Sequence, residues 1–348
     1  MSSGKNFDPN GPGIAGKLFG LPFDATDAWM VVVPVPWEVT VSYQTGTANG
    51  PAAVLRSSSQ VDLFNKDIPD AWKLGVTMAD IPESIRQESQ QLRCLAERHL
   101  RRLESEGEPS PLLTQKINQA CESLNVYVKS TTKTLLQQGK MVGILGGDHS
   151  TPLGFLQTLS EQYDRFGILQ VDAHADLRKA YEGFQFSHAS IMYNAMKLPS
   201  IGRLVSVGIR DWCEEEWQVV QRSHGRIKIF HDETLDQLLD DGQKWSEVCK
   251  SIVKELPDNV YISFDIDGLD PSLCPHTGTP VPGGLSFYQA QILLRTVATS
   301  GKRIIGFDLC EVAPGTSGEW DASVGARLLN LLCTYTGVSN GKLKIAGG

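Results

Sequence analysis

The stretch MVGILGGDHSTPLGFLQTLSEQYDRFGILQVDAHAD, residues 141–176, decides how this chain folds. It opens on an apolar run, Met141–Leu145, and closes on a second, Gly167–Val171. Between them, residues 152–163 are amphipathic with helical spacing. Apolar runs without polar alternation fit strands buried on both faces, the habit of parallel sheets. A strand, a helix and a strand in that order predict a parallel sheet covered by helices.

The pattern repeats outward from this unit. Further strands are expected at Trp29–Val35, Leu204–Ile209, Ile227–Phe230, Val260–Phe264 and Ile304–Phe307. Amphipathic helices are expected at 113–138, 189–198, 214–223, 233–255, 286–300 and 321–336. Residues 82–112 are heavily charged, and EGEPSP at 106–111 reads as a loop. This segment is read as a solvated helix and turn inserted between early strands, with a partner-binding segment as the other reading. Residues 1–25, polar and rich in Gly and Pro, are expected to form a flexible arm. A single domain is expected over 26–340, with a tail at 341–348.

Composition sets bounds on function. The chain has 348 residues, 41% hydrophobic and 21% charged, enough for a sizeable core. Its net charge is −8, from 32 basic and 40 acidic residues. That balance argues against nucleic acid as a partner and favours a cationic substrate. No stretch reaches the ~18–20 apolar residues that span a bilayer, and the N-terminus lacks the apolar core of a secretory signal. Seven scattered cysteines form no C-x-x-C pair, which suits reduced thiols in the cytosol.

Three motifs carry chemistry, each at the C-terminal end of an expected strand, where open parallel sheets place their ligands. Gly146-Gly147-Asp148-His149-Ser150 follows the first run of the opening stretch; its glycines permit a sharp turn that projects His149 over the sheet edge. Asp172-Ala173-His174-Ala175-Asp176 follows the second. In extended chain, side chains two apart point the same way, so Asp172, His174 and Asp176 share one side. In Ser263-Phe264-Asp265-Ile266-Asp267-Gly268 the alternation returns with Asp265 and Asp267. Taken singly, each motif also fits a polar turn. D-I-D-G-L-D lacks the spacing and closing Glu of a calcium loop.

Together these motifs supply His149, Asp172, His174, Asp176, Asp265 and Asp267. Carboxylates and imidazoles crowded on one rim repel and desolvate one another unless cations hold them. The set suits two divalent metal ions and contains no thiolate. Oxygen-rich donors with imidazole fit Mn²⁺ best, with Ni²⁺, Co²⁺ or Zn²⁺ open. Such two-metal sites make a nucleophile from water at neutral pH.

At these motifs the sequence resembles the ureohydrolase family, which includes arginase and agmatinase, from about Val31 to Leu332. TGTPVPGGL (277–285), Glu311 in FDLCEV and the segment Thr40–Arg56 extend the resemblance. The family normally carries a basic residue in that last segment, where Gln44 and Ala48 stand here. The resemblance implies a three-layer αβα sandwich on a mainly parallel sheet of about eight strands. It also implies a homo-oligomer, trimer or hexamer, with a hetero-oligomer containing a related subunit as a variant. His149, Asp172, Asp176 and Asp265 would hold one ion. His174, Asp172, Asp265 and Asp267 would hold the other, with Asp172 and Asp265 bridging. Asp148 would orient His149.

Glu311 matches the residue that grips the guanidinium, a task for which a carboxylate can accept paired N–H donors. His188, in FSHAS, matches a histidine that shuttles a proton to the leaving amine, and a packed helix-start histidine is the other reading. In the mechanism that the resemblance implies, the leaving amine is protonated through Asp267 or His188. The run Asp176-Leu177-Arg178-Lys179-Ala180-Tyr181-Glu182-Gly183 resembles agmatinases more than arginases. It implies cleavage of agmatine to putrescine and urea. Arg178 is a candidate for a substrate carboxylate, as in guanidinobutyrate, or for a helix-start salt bridge. His276 is expected near the pocket mouth. Trp212 is expected to narrow the pocket or stack on a planar cation, with Trp217 beside it, or to pack at a subunit contact. Arginine, guanidine, an alkylated guanidine or a biguanide such as metformin remain alternative substrates. Related one-zinc deacylases and a non-catalytic or regulatory subunit are the competing classes.

Overall fold

The apolar runs pair as eight strands, all parallel, among the residues that the computed structural model describes, 7–316 and 318–346. They are β1 (Met30–Val35), β2 (Val76–Met78), β3 (Met141–Gly146), β4 (Phe166–Val171), β5 (Ile201–Ile209), β6 (Ile227–His231), β7 (Asn259–Asp265) and β8 (Arg303–Cys310). Their order across the sheet is β2-β1-β3-β8-β7-β4-β5-β6. The helices are α1 (Gly50–Ser58), α2 (Glu83–Glu106), α3 (Pro111–Gln137), α4 (Leu153–Gln162), α5 (Ile191–Ala195), α6 (Glu214–Arg222), α7 (Asp232–Asp240), α8 (Trp245–Lys254), α9 (Phe287–Thr299) and α10 (Trp320–Ser339). None is long and apolar enough to cross a membrane.

Alternate strand residues feed two apolar layers, which is why the runs are continuous rather than alternating. On one face Val32, Val171, Val207, Ile262 and Phe264 pack with Val248 of α8, Leu293 of α9 and Leu328 of α10. On the other, Val33, Val142, Ile144, Ile168 and Tyr261 pack with Ile117 and Val128 of α3 and Phe155 of α4. The architecture is the α/β sandwich expected from the sequence.

Two expectations are corrected. The arm expected to be flexible is packed from Leu18 to Phe23, where Leu18, Phe19, Leu21 and Phe23 are buried against the first layer; residues 1–6 lie outside the described residues. The helix expected over 233–255 is two, α7 and α8, separated at Gly242, whose φ is +86°. In the tail, Leu343 is buried and the Ala346 N–H donates to the Asp67 carbonyl at 2.7 Å; residues 347–348 lie outside the described residues. The charged segment forms α2, whose Leu92, Ala96 and Leu100 recur at helical spacing on its buried face. It ends at Gly107 in the left-handed conformation, and Pro111 opens α3.

Candidate functional site

The four strands β3, β8, β7 and β4 are neighbours at the middle of the sheet, and their C-terminal ends carry the polar cluster. After β3 the chain crosses the loop that leaves β1. Gly147 N–H donates to the Val35 carbonyl at 2.8 Å, and Asp148 N–H to the Trp37 carbonyl at 2.8 Å. A Cβ on Gly147 would stand 2.0 Å from that Trp37 oxygen, so the crossing needs glycine. His149 emerges with its main-chain N–H on Glu311 Oε1 at 2.9 Å.

Two donor sets meet at Asp172, which follows the last residue of β4. In the first, His149 Nδ1 lies 3.1 Å from Asp172, 3.0 Å from Asp176 and 3.3 Å from Asp265. In the second, His174 Nδ1 lies 3.1 Å from Asp267 and 3.6 Å from Asp172. Main-chain amides fix the acids: His174 N–H donates to Asp172 at 2.7 Å, Asp267 N–H to Asp265 at 2.9 Å and Ala173 N–H to Asp267 at 3.0 Å. Asp176 holds its place at φ +53°, and Glu311 at φ +63°. Those conformations are uncommon outside glycine and concentrate at functional sites.

The cluster is buried, and its titration reflects that. Burial, then the neighbouring Asp172, raises Asp176 to about 7. Burial, then Asp267 and Asp172, raises Asp265 well above the carboxylate range. Burial and Asp148 raise Glu311 likewise. Burial opposes the charge on Asp172 too, yet His149 and His174 hold it below its ordinary value. His149 Nδ1 and Glu311 Oε2 are buried with no hydrogen-bond partner. An unpaired imidazole nitrogen facing three carboxylates, with no sulfur on that side, is a fitting cradle for hard divalent cations.

Sequence reading missed what lies behind His149. Its Nε2 is 2.9 Å from Ser263 Oγ and 3.6 Å from Asp308, and Cys310 borders the same space. The period-two alternation of Asp308 and Cys310 in FDLCEV was the available signal. Also unforeseen was Thr40, which accepts from the His188 main-chain N–H at 3.2 Å.

A cleft of about 280 Å³ opens over the second set, lined by His174, Asp176, Arg178, His188, Trp212 and Tyr43 among others. Burial, then His174 and His149, lowers His188 to about 3, so its ring is neutral near pH 7. Arg178 rests over the Tyr181 ring at 4.6 Å, with Nε 3.8 Å from Glu216. Glu216 is itself engaged, accepting from Leu177 and Cys213 N–H groups at 2.9 Å each. Trp212 packs edge-on to Trp217 at 5.3 Å. His276 does not line the cleft. Its Nδ1 lies 2.9 Å from Asp321 at the start of α10. Glu311 and Asp267 are likewise absent from the cleft lining and lie deeper in the cluster.

The sheet and the acid–imidazole cluster define a three-layer α/β protein with a rim of carboxylates and imidazoles, able to hold cations, at its strand ends. Residues 28–333 match the model of the arginase family. Similar sequences include the N(1)-aminopropylagmatine ureohydrolase of Synechocystis sp., 28% identical over 323 residues, covering 91% of this chain and 92% of that protein. A Thermus thermophilus enzyme of the same description is 30% identical over 303 residues, covering 87% of this chain and 88% of that protein. The agmatine ureohydrolase structure of Thermoplasma volcanium superposes with a TM-score of 0.71 at 22% identity, covering 97% of each chain. The chain belongs to the arginase family of ureohydrolases.

Proposed function

We propose that this chain hydrolyses the guanidinium C–N bond of a guanidinoalkylamine of the agmatine type, giving urea and a diamine. The observation that carries the substrate class is the charge of the cleft wall. Arg178 is the only Lys or Arg among the described lining residues, and it is held by Glu216 and Tyr181, while Asp211 adds an exposed carboxylate. Among these residues no free cation waits for a substrate carboxylate, which favours agmatine over arginine and guanidinobutyrate. Guanidine, alkylated guanidines and biguanides remain as alternatives that lack a carboxylate.

The two donor sets would hold two divalent ions, with His149, Asp172, Asp176 and Asp265 at one and His174, Asp172, Asp265 and Asp267 at the other. Bound there, the ions supply a water activated for attack on the guanidinium carbon, and Mn²⁺ suits the donors best, followed by Ni²⁺ or Co²⁺. Glu311 offers the unspent lone pairs of Oε2 to the guanidinium N–H groups. Asp267, 3.1 Å from His174 Nδ1 and beneath the residues that line the cleft, would take the proton that the attacking water gives up. The neutral His188 would accept that proton at one ring nitrogen while its other nitrogen gives one to the leaving nitrogen, so the C–N bond breaks, an amine departs and the ring stays neutral. Retention of all six candidate ligands together with Glu311 argues against a regulatory subunit.

Urea release from agmatine, arginine, guanidinobutyrate, guanidine and metformin, each with Mn²⁺ and with Ni²⁺, tests this reading. Preference for agmatine supports it, and preference for a carboxylate-bearing substrate contradicts it. The trimer or hexamer, with or without a related subunit, and a cytosolic location belong to the same proposal. Light scattering of the purified chain reads the first. The free state of every described cysteine supports the second.

A further inference from the structure

Arg210 follows the last residue of β5 and precedes Asp211 and Trp212 of the cleft wall. Its main-chain N–H donates at 2.8 Å to the carbonyl of Ala173, inside the loop that carries Asp172, His174 and Asp176. The Asp211 N–H reaches the same carbonyl at 3.1 Å. The guanidinium reaches two further segments. Nη2 donates to the carbonyls of Asp267 at 2.7 Å, Leu269 at 3.2 Å and Val281 at 2.9 Å. Nε donates to Val281 at 3.2 Å and Pro282 at 3.1 Å, and Nη1 to Gly208 at 3.1 Å.

The loop is shaped around this group. Gly283 and Gly284 both have positive φ, +96° and +99°. A Cβ on Gly284 would stand 2.9 Å from Arg210 Nη2, and one on Gly283 3.3 Å from its Cδ. A planar fork of five N–H donors can serve several carbonyls at once, which a lysine ammonium on its flexible stem cannot reproduce. Carbonyls left unpaired in a partly buried place are costly, so the segments would shift to find other partners.

We infer that Arg210 is a positioning residue that holds the His174 and Asp267 donor set in register and fixes it against the cleft wall at Val281. Its main chain anchors the His174 loop, and its side chain anchors the Asp267 turn and the 277–285 loop. Its guanidinium hydrogen bonds reach neither His149 nor Asp176, and the first donor set is tied to that side chain only indirectly, through Asp265, which accepts from the Asp267 N–H at 2.9 Å, so the larger loss falls on the second set. This inference rests on the reading of the two sets as metal sites.

The test is a titration of full-length wild type, Arg210→Lys and Arg210→Met with Mn²⁺ alone, counting ions per chain by mass spectrometry. Thermal unfolding of the metal-free proteins runs beside it. Arg210→Met should keep one tight ion and bind the second ~10–100-fold more weakly. Arg210→Lys should fall between it and wild type, and KM should rise in the same order. Two ions bound with wild-type affinity in both variants would overturn the inference, and so would an equal loss of both ions. If Arg210→Met fails to fold, Arg210→Lys decides by the same two outcomes. A wild-type chain that binds two ions yet releases no urea would defeat the proposed activity and leave these ion counts valid.

Discussion

Asp172 is the carboxylate on which both donor sets converge, with one oxygen toward His149 and the other toward His174. Asp267 belongs to the second set alone, so Asp267→Asn should abolish urea release and weaken one ion while the other stays bound; ion counting and a urea assay read both effects. Glu311 touches neither imidazole ring, so Glu311→Gln should keep both ions and lose ~2–5 kcal/mol in kcat/KM. An unchanged kcat/KM would contradict its assignment to the guanidinium. Ion uptake should depend on pH with a definite sign. Asp176 is raised to about 7 in the metal-free fold, so protons compete with ions below that pH and affinity falls. Its folded pKa exceeds the unfolded one, so its contribution to metal-free stability declines as pH rises from about 4 to about 7. Melting temperature against pH, with and without Mn²⁺, checks this: the metal-free decline should vanish in the loaded protein. At this scale the front of the site was legible from the clustering of Asp172, His174 and Asp176 in one short motif, although the extended spacing assumed for it breaks at Asp176, whose φ is +53°. The back was not, since Ser263 and Asp308 reach His149 only through pairing of distant strands. His276 shows the same boundary: its partner Asp321 lies 45 residues away, and nothing local fixes its direction.

Elements position these residues by close backbone approach. Gly147→Ala would drive a methyl group into the Trp37 carbonyl and displace the loop bearing Asp148 and His149. A fall of ~1–3 kcal/mol in unfolding free energy is expected, together with weaker binding of the ion held by His149. Denaturant unfolding and ion titration measure the two, and an unperturbed pair of values would contradict the packing account. α2 acts on the opposite wall. Buried Arg93 donates from Nη1 to the carbonyls of Val39 and Val41, which flank Thr40 beneath His188. Arg93→Met should cost ~1–3 kcal/mol of stability through those unpaired carbonyls and raise KM, as read by unfolding and steady-state kinetics. The long runs that became β3, β4, β7 and β8 were legible because burial on both faces leaves no polar interruption. β2 was not, since three residues, Val76–Met78, are too few to show a period. The break between α7 and α8 falls in Asp240-Asp241-Gly242-Gln243-Lys244, where the apolar spacing lapses, and the left-handed Gly242 was its signal.

At the scale of the whole molecule, a sheet with both faces covered leaves only its strand ends open to a ligand, and there the chain has gathered acids. Their mutual repulsion is a cost that cations held there would offset. Removing the ions with a chelator should lower stability by ~2.7 kcal/mol for each site previously held at 100-fold its Kd. Calorimetry of loaded and stripped protein measures it, and identical melting curves would contradict a shared counter-charge role. The parallel α/β class was legible from the strand–helix alternation. The packing of Leu18 to Phe23 was not, because a short apolar cluster in a Gly- and Pro-rich segment gives no periodic signal. The most direct test of the central claim is urea release from agmatine, measured as a function of divalent ions bound per chain. The account predicts that turnover appears only as the second ion fills. Full turnover with one ion or none would contradict it.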